Sequence, residues 1–143
     1  MIRTFERDGI RFQYPANWVL ETDDDAEDGW SVSLQSPETA FLQMSLRPDA
    51  ASPAELADQT LDALKAEYKE LDSQNVVESF AGQPAIGHDF DFLTLDTAIT
   101  CWTRCIDTPA GPLLVLRQVS EYDRERNEPV LRAICVSLAV EDE

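Results

Sequence analysis

The sequence holds one histidine, His88, and three cysteines, Cys101, Cys105 and Cys135, so any histidine-assisted nucleophile must be built from these four residues. An imidazole within hydrogen-bond reach of a thiol is the arrangement that activates a cysteine. In Gly87-His88-Asp89-Phe90-Asp91-Phe92 the histidine shares a strand face with both phenylalanines. Alternation puts Cys101 and Cys105 on the opposite face if the two strands pair through a tight turn at 94–96. The expectation is a histidine satisfied within a sheet, Cys135 in the core, and no catalytic residue. Cys101 and Cys105 stand four residues apart on one strand, roughly 13 Å at the usual rise, which is beyond disulfide reach. Three thiols, an odd number, also suit a reducing compartment better than a disulfide framework.

A lone histidine excludes a multi-histidine metal site. The acidic run Asp23-Asp24-Asp25-Ala26-Glu27-Asp28-Gly29 raises calcium, since Asp24, Asp28 and Gly29 fit positions 1, 5 and 6 of an EF-hand loop. Position 3 would be Ala26 and position 12 Gln35, where a bidentate glutamate is needed, so the pattern fails. A solvated loop is expected here, with no metal and no cofactor. Arg104 and Arg117 are the remaining residues that could do chemistry. A hairpin centred near Ala110 and Gly111 would set them directly opposite each other, and facing guanidiniums repel unless an anion or carboxylate lies between them. Either a different register or an acid such as Glu121 resolves the repulsion, or the pair forms a small anionic pocket flanked by Trp102 and Ile106. The candidate ligand-binding residues are therefore Arg104, Arg117, Trp102 and His88.

The elements that must position them are strands first. Ile10, Phe12 and Tyr14 alternate with polar residues, as do Val32 with Leu34, and Leu42, Met44 and Leu46. The period changes at Ser52-Pro53-Ala54-Glu55, a capping box with proline in the first helical position. Leu56, Thr60, Leu61, Leu64, Tyr68 and Leu71 then mark the apolar stripe of a helix of about 18 residues. Strands follow at Val76–Ala81, Ala85–Leu93, Thr97–Asp107 and Leu113–Glu121, with a turn at Gly82-Gln83-Pro84 and a hairpin through Thr108-Pro109-Ala110-Gly111-Pro112. Val130, Leu131, Ile134, Cys135 and Leu138 predict a closing helix with Pro129 near its start. Phe90, Phe92, Trp102, Ile106, Val115 and Val119 are assigned to one sheet face, and Ile99, Cys101, Cys105, Leu114 and Leu116 to the other. A sheet with apolar residues on both faces must be covered on both. The reading is one α+β domain over 1–143: an antiparallel sheet of about six to seven strands with helices on both faces.

Net charge is −17. Setting aside five acids at 23–28 and three at 141–143 leaves 20 acids against 11 bases, so the acidity pervades the chain. Such a field repels nucleic-acid backbones and anionic lipid heads, and favours a basic or apolar protein partner. The charged first eight residues do not resemble a signal peptide, and no apolar run approaches a membrane span, so a cytoplasmic protein without membrane insertion is expected.

Several segments together resemble the PsbP-like fold, which includes the photosystem II extrinsic protein PsbP, the Ran-binding nuclear import factor and many small bacterial proteins. They are Gly9-Ile10-x-Phe12-x-Tyr14-Pro15-x-x-Trp18, Ser33-Leu34-x-Ser36-Pro37, the capped central helix, Gly82-Gln83-Pro84-Ala85 and Ile134-x-x-Ser137-Leu138. A strand that delivers Tyr14 to the core, a proline that stops it and Trp18 folded back as a lid would close one sheet edge. The resemblance implies an antiparallel sheet between helices and a role in binding or assembly rather than catalysis, with chaperones or adaptors for secreted proteins among the bacterial relatives. No binding residue carries over from it.

The leading expectation is thus a non-enzymatic protein-binding or accessory domain, monomer or homodimer. The alternatives are a small anionic-ligand-binding domain or hydrolase using Arg104, Arg117 and His88, and a self-associating structural subunit.

Overall fold

The computed structural model describes residues 1–24 and 29–141. Among them the order is β1 (Ile2–Arg7), β2 (Ile10–Pro15), β3 (Val19–Asp24), β4 (Trp30–Gln35), β5 (Phe41–Leu46), α1 (Pro53–Glu67), β6 (Asp72–Phe80), β7 (Gln83–Thr94), β8 (Thr97–Thr108), β9 (Gly111–Ser120), α2 (Arg124–Val136) and β10 (Ala139–Val140). Seven strands form one antiparallel sheet in the order β3-β4-β5-β9-β8-β7-β6, and β1-β2-β10 form a second, antiparallel as well. The α+β class, the seven-stranded sheet and a helix on each face agree with the sequence reading; the small second sheet, β3 and β10 go beyond it.

Local chemistry explains the elements. Ser52 caps α1 by accepting from the Glu55 amide at 3.1 Å, and Pro53 takes the first turn. The Glu55 carboxylate accepts from Gln59 Nε2. The helix stops at Glu67, short of the expected 18 residues, because Tyr68 turns to extended backbone while its N–H still bonds the Leu64 carbonyl. Tyr68 then stacks on Phe92 with ring centroids 4.1 Å apart. The β6–β7 turn is Ala81-Gly82, both at positive φ, and Gln83 and Pro84 already belong to the strand. Pro129 lies inside α2 rather than near its start, where it gives up one intrahelical bond. Thr22, Asp23 and Asp24 continue β3, while the rest of the acidic loop, Asp25 to Asp28, lies outside the described residues.

The main correction concerns which residues share a face. The turn between β7 and β8 has two residues, Leu95 and Asp96, both at positive φ, so Thr94 pairs with Thr97 and His88 with Thr103. A turn one residue longer would reverse every face assignment in β7 relative to β8. His88, Phe90 and Phe92 therefore lie on the same face as Cys101, Cys105, Ile99, Leu114 and Leu116, beneath α1. Trp102, Arg104, Ile106, Val115, Arg117 and Val119 face the other way, as expected.

Covering of the two faces is offset. α1 packs over β7, β8 and β9, leaving Ser31, Ser33, Gln43 and Ser45 on the uncovered end of that face only partly buried. On the opposite face α2 packs on β9, and the small sheet contributes Ile10, Phe12 and Tyr14 to the main core with Leu34, Leu42, Met44 and Trp30. Tyr14 and Trp18 are 9% and 6% exposed and the Trp18 N–H bonds the Pro15 carbonyl, which is the strand, stop and lid read from the sequence. Asp123 pins the β4–β5 loop to the start of α2, accepting from the Thr39 N–H and hydroxyl and from Asn127 Nδ2. Burial opposes its ionisation, but these bonds hold the carboxyl below its usual range.

Gly87 is the tightest point of the frame. A Cβ there would stand 1.8 Å from the Thr103 carbonyl oxygen, which is backbone and cannot move aside. Gly87→Ala should lower stability by about 3 kcal/mol or more, read as a drop in the urea midpoint; an unchanged midpoint would show that β7 and β8 are not held this closely.

Candidate functional site

The end of the sheet that α2 and the small sheet leave uncovered forms a cleft of about 760 Å³. Its floor is Trp102 and Arg104 of β8 and Arg117 of β9; its walls are the β6–β7 turn, the last turn of α2 and the segment Leu138–Val140. The floor thus contains three of the four residues singled out from the sequence. The hairpin register differs from the expected one by two residues, since Pro109 and Ala110 form the turn and Thr108 pairs with Gly111. Arg117 is consequently opposite Trp102, and Arg104 opposite Val115. A shift of two keeps both arginines on one face but removes their direct confrontation.

The two guanidiniums have different fates. Arg104, which is opposite Gly87, is 5% exposed, pairs with Glu78 and with Asp89 at 2.9 Å, and donates to the Thr103 carbonyl at 2.7 Å. Its charge is neutralised by two carboxylates, so it fastens β6, β7 and β8 together. Arg117 is half-buried and has no carboxylate partner among the described residues. The other arginines that are not fully at the surface, Arg7, Arg47 and Arg104, each have one. Arg117 instead lies 5.1 Å from the Trp102 ring centroid, and Arg124 approaches the same ring at 5.5 Å. Burial pushes the Cys135 thiol up to about 11, against the pull of the positive charge of Arg117. Ile106, expected beside the pair, is fully buried in the core beneath.

His88 does not join the cleft, because the two-residue turn puts it on the α1 side. It is 5% exposed, its ring 5.6 Å from Phe90, and its Nδ1 has no hydrogen-bond partner among the described residues. Burial holds its pKa below the ordinary value; Asp58 and Asp89 act against that and Lys65 and Arg104 with it. The sheet does bring His88 and the cysteines to one face, but at neighbouring pairing positions: His88 faces Thr103, Phe90 faces Cys101 and Ile86 faces Cys105. Burial pushes both thiols up to about 12, away from thiolate formation at neutral pH. Among the described residues no cluster of three or more potential ligands is arranged to hold a metal ion, and no helix is long and apolar enough to cross a membrane.

The cleft walls are what sequence reasoning missed. Phe80 ends β6, whereas Val136 and Leu138 lie at and just after the end of α2, more than fifty residues later, so no local pattern brings them together.

No protein-family model matches the chain and no curated protein does. Among solved structures, the Pseudomonas aeruginosa protein PA94, of unknown function, is similar over 99% of both chains with TM-score 0.60 and 11% identity. Cyanobacterial PsbP (CyanoP) from Synechocystis sp. PCC 6803 gives TM-score 0.59 and 14% identity over 98% of this chain and 92% of its own. LpqN, involved in cell envelope biogenesis of Mycobacterium tuberculosis, gives 0.53 and 12% over 99% and 91%. The fold is therefore PsbP-like.

Two outcomes follow from the burial of the three thiols and of His88. The native protein at pH 8 should leave its three thiols unreacted with DTNB over minutes and release all three in denaturant; rapid reaction of native Cys101 or Cys105 would contradict their burial. Because His88 is harder to protonate folded than unfolded, the unfolded chain binds more protons below about pH 6.5. Its contribution to stability is thus present above that pH and lost as pH falls, and the urea midpoint of wild type should decline more steeply from pH 7 to pH 5 than that of His88→Gln. Parallel pH profiles would contradict this.

Proposed function

We propose that this PsbP-like chain is a non-enzymatic accessory domain of the cytoplasm that binds a protein partner, as a chaperone or adaptor does, over the Trp102–Arg117 cleft. The observation that carries the reading is the half-buried guanidinium of Arg117, set in a cleft with both polar and apolar side chains in its walls and without a carboxylate partner from its own chain among the described residues. A cation held partly out of water is costly unless something of opposite charge completes it. The cleft is open to solvent along the sheet, which suits a segment of another protein. Around it the molecule is acidic, which steers approach by partners with basic surfaces and discourages nucleic acid and anionic membranes.

Tagged wild-type protein and a Trp102→Ala/Arg117→Ala variant, matched for thermal melting, would be incubated with lysate of the source organism and read by quantitative mass spectrometry. One stoichiometric partner should be retained by wild type and fall at least tenfold with the variant. No stoichiometric partner, or one retained equally by both, would overturn the proposal.

A further inference from the structure

Resting on that reading, we infer that the partner enters the cleft as an apolar peptide segment bearing one carboxylate, which pairs with Arg117 while a neighbouring side chain lies on Trp102. The charges define the anion. Arg104 is already matched by two carboxylates, Glu78 and Asp89, and Arg132 at the rim shares Glu128 with Arg124. Among the described residues Arg117 remains as the positive charge on the floor without a carboxylate partner, in a molecule whose net charge is −17. One negative charge therefore completes the site, and two or more would meet Glu78 and Asp89 nearby.

The walls define what the anion is attached to. Phe80, Val136 and Leu138 face the cavity, and Val136 is 81% exposed although it sits beside a buried core. About 760 Å³ is far more than a bare carboxylate needs, and falls in the range of sites that enclose an organic body. An inorganic anion would leave those walls wet; an apolar chain would dehydrate them and strengthen the guanidinium–carboxylate bond as water leaves. Trp102 adds a flat surface whose own face is polarised by two guanidiniums. A free C-terminus or an aspartate or glutamate beside apolar residues supplies this chemistry, and a fixed guanidinium can take either in bidentate fashion.

Trp18 and Trp30 are 6% and 1% exposed whereas Trp102 is half-buried at the site, so acrylamide quenching of tryptophan fluorescence reports mainly on Trp102. The probes are an N-acetylated pentapeptide of leucine, valine and phenylalanine with a free C-terminal carboxylate, the same peptide as its amide, and octanoate. The acid peptide should protect Trp102 and bind at least tenfold tighter than the amide. Arg117→Gln should remove that preference and Arg117→Lys restore part of it. Equal binding of acid and amide, or no binding of either at millimolar concentration, would overturn the inference on wild-type protein alone. Octanoate binding as tightly as the peptide would overturn the peptide as occupant in favour of a free amphipathic acid. A lysate partner lost by Trp102→Ala but kept by Arg117→Gln would overturn the carboxylate and leave the protein-binding proposal standing.

Discussion

Much of this structure depends on a two-residue turn. Leu95 and Asp96 both adopt positive φ, which sets the pairing of β7 with β8 and hence which side chains meet on each face. With Thr94 opposite Thr97, Gly87 falls opposite Arg104, where the two backbones approach too closely to admit a Cβ, and the guanidinium of Arg104 reaches Glu78 and Asp89. The same pairing puts His88 and both phenylalanines under α1, where an apolar helix face can cover them. One residue more in the turn would have buried the wrong face of β7.

The second constraint is the offset between the covers. A helix spans fewer strands than the sheet has, so α1 protects β7 to β9 and leaves serines and glutamines over β3 to β5. α2 and the small sheet reverse this on the other face. What remains open there is the floor of the cleft, where a tryptophan and a guanidinium stand at the edge of a core that would otherwise enclose them.

The sequence made the frame readable where local signals were strong. Ser52-Pro53 announced α1, and strict alternation announced β2, β4 and β5. The Asp8-Gly9 hairpin between β1 and β2 carried a standard turn signal, with φ of 52° and 79°, that the strand reading passed over. Leu95-Asp96 carried none, because leucine rarely adopts positive φ; the face of His88 was therefore assigned wrongly. The two arginines and Trp102 were correctly placed on one face because a register error of two preserves alternation. That Arg104 is neutralised and Arg117 is not could not be read, since Glu78 and Asp89 reach Arg104 only through strand pairings that no local pattern specifies.

The division between the two arginines has a consequence for how such a domain diversifies. Gly87, Arg104 and its two carboxylates tie three strands together, whereas the proposed binding surface is lined by Trp102, Arg117 and the ends of the chain's later elements. Substitutions in the second group spare the interactions that hold the strands together. The lining of the cleft can therefore vary while the frame beneath it stays the same.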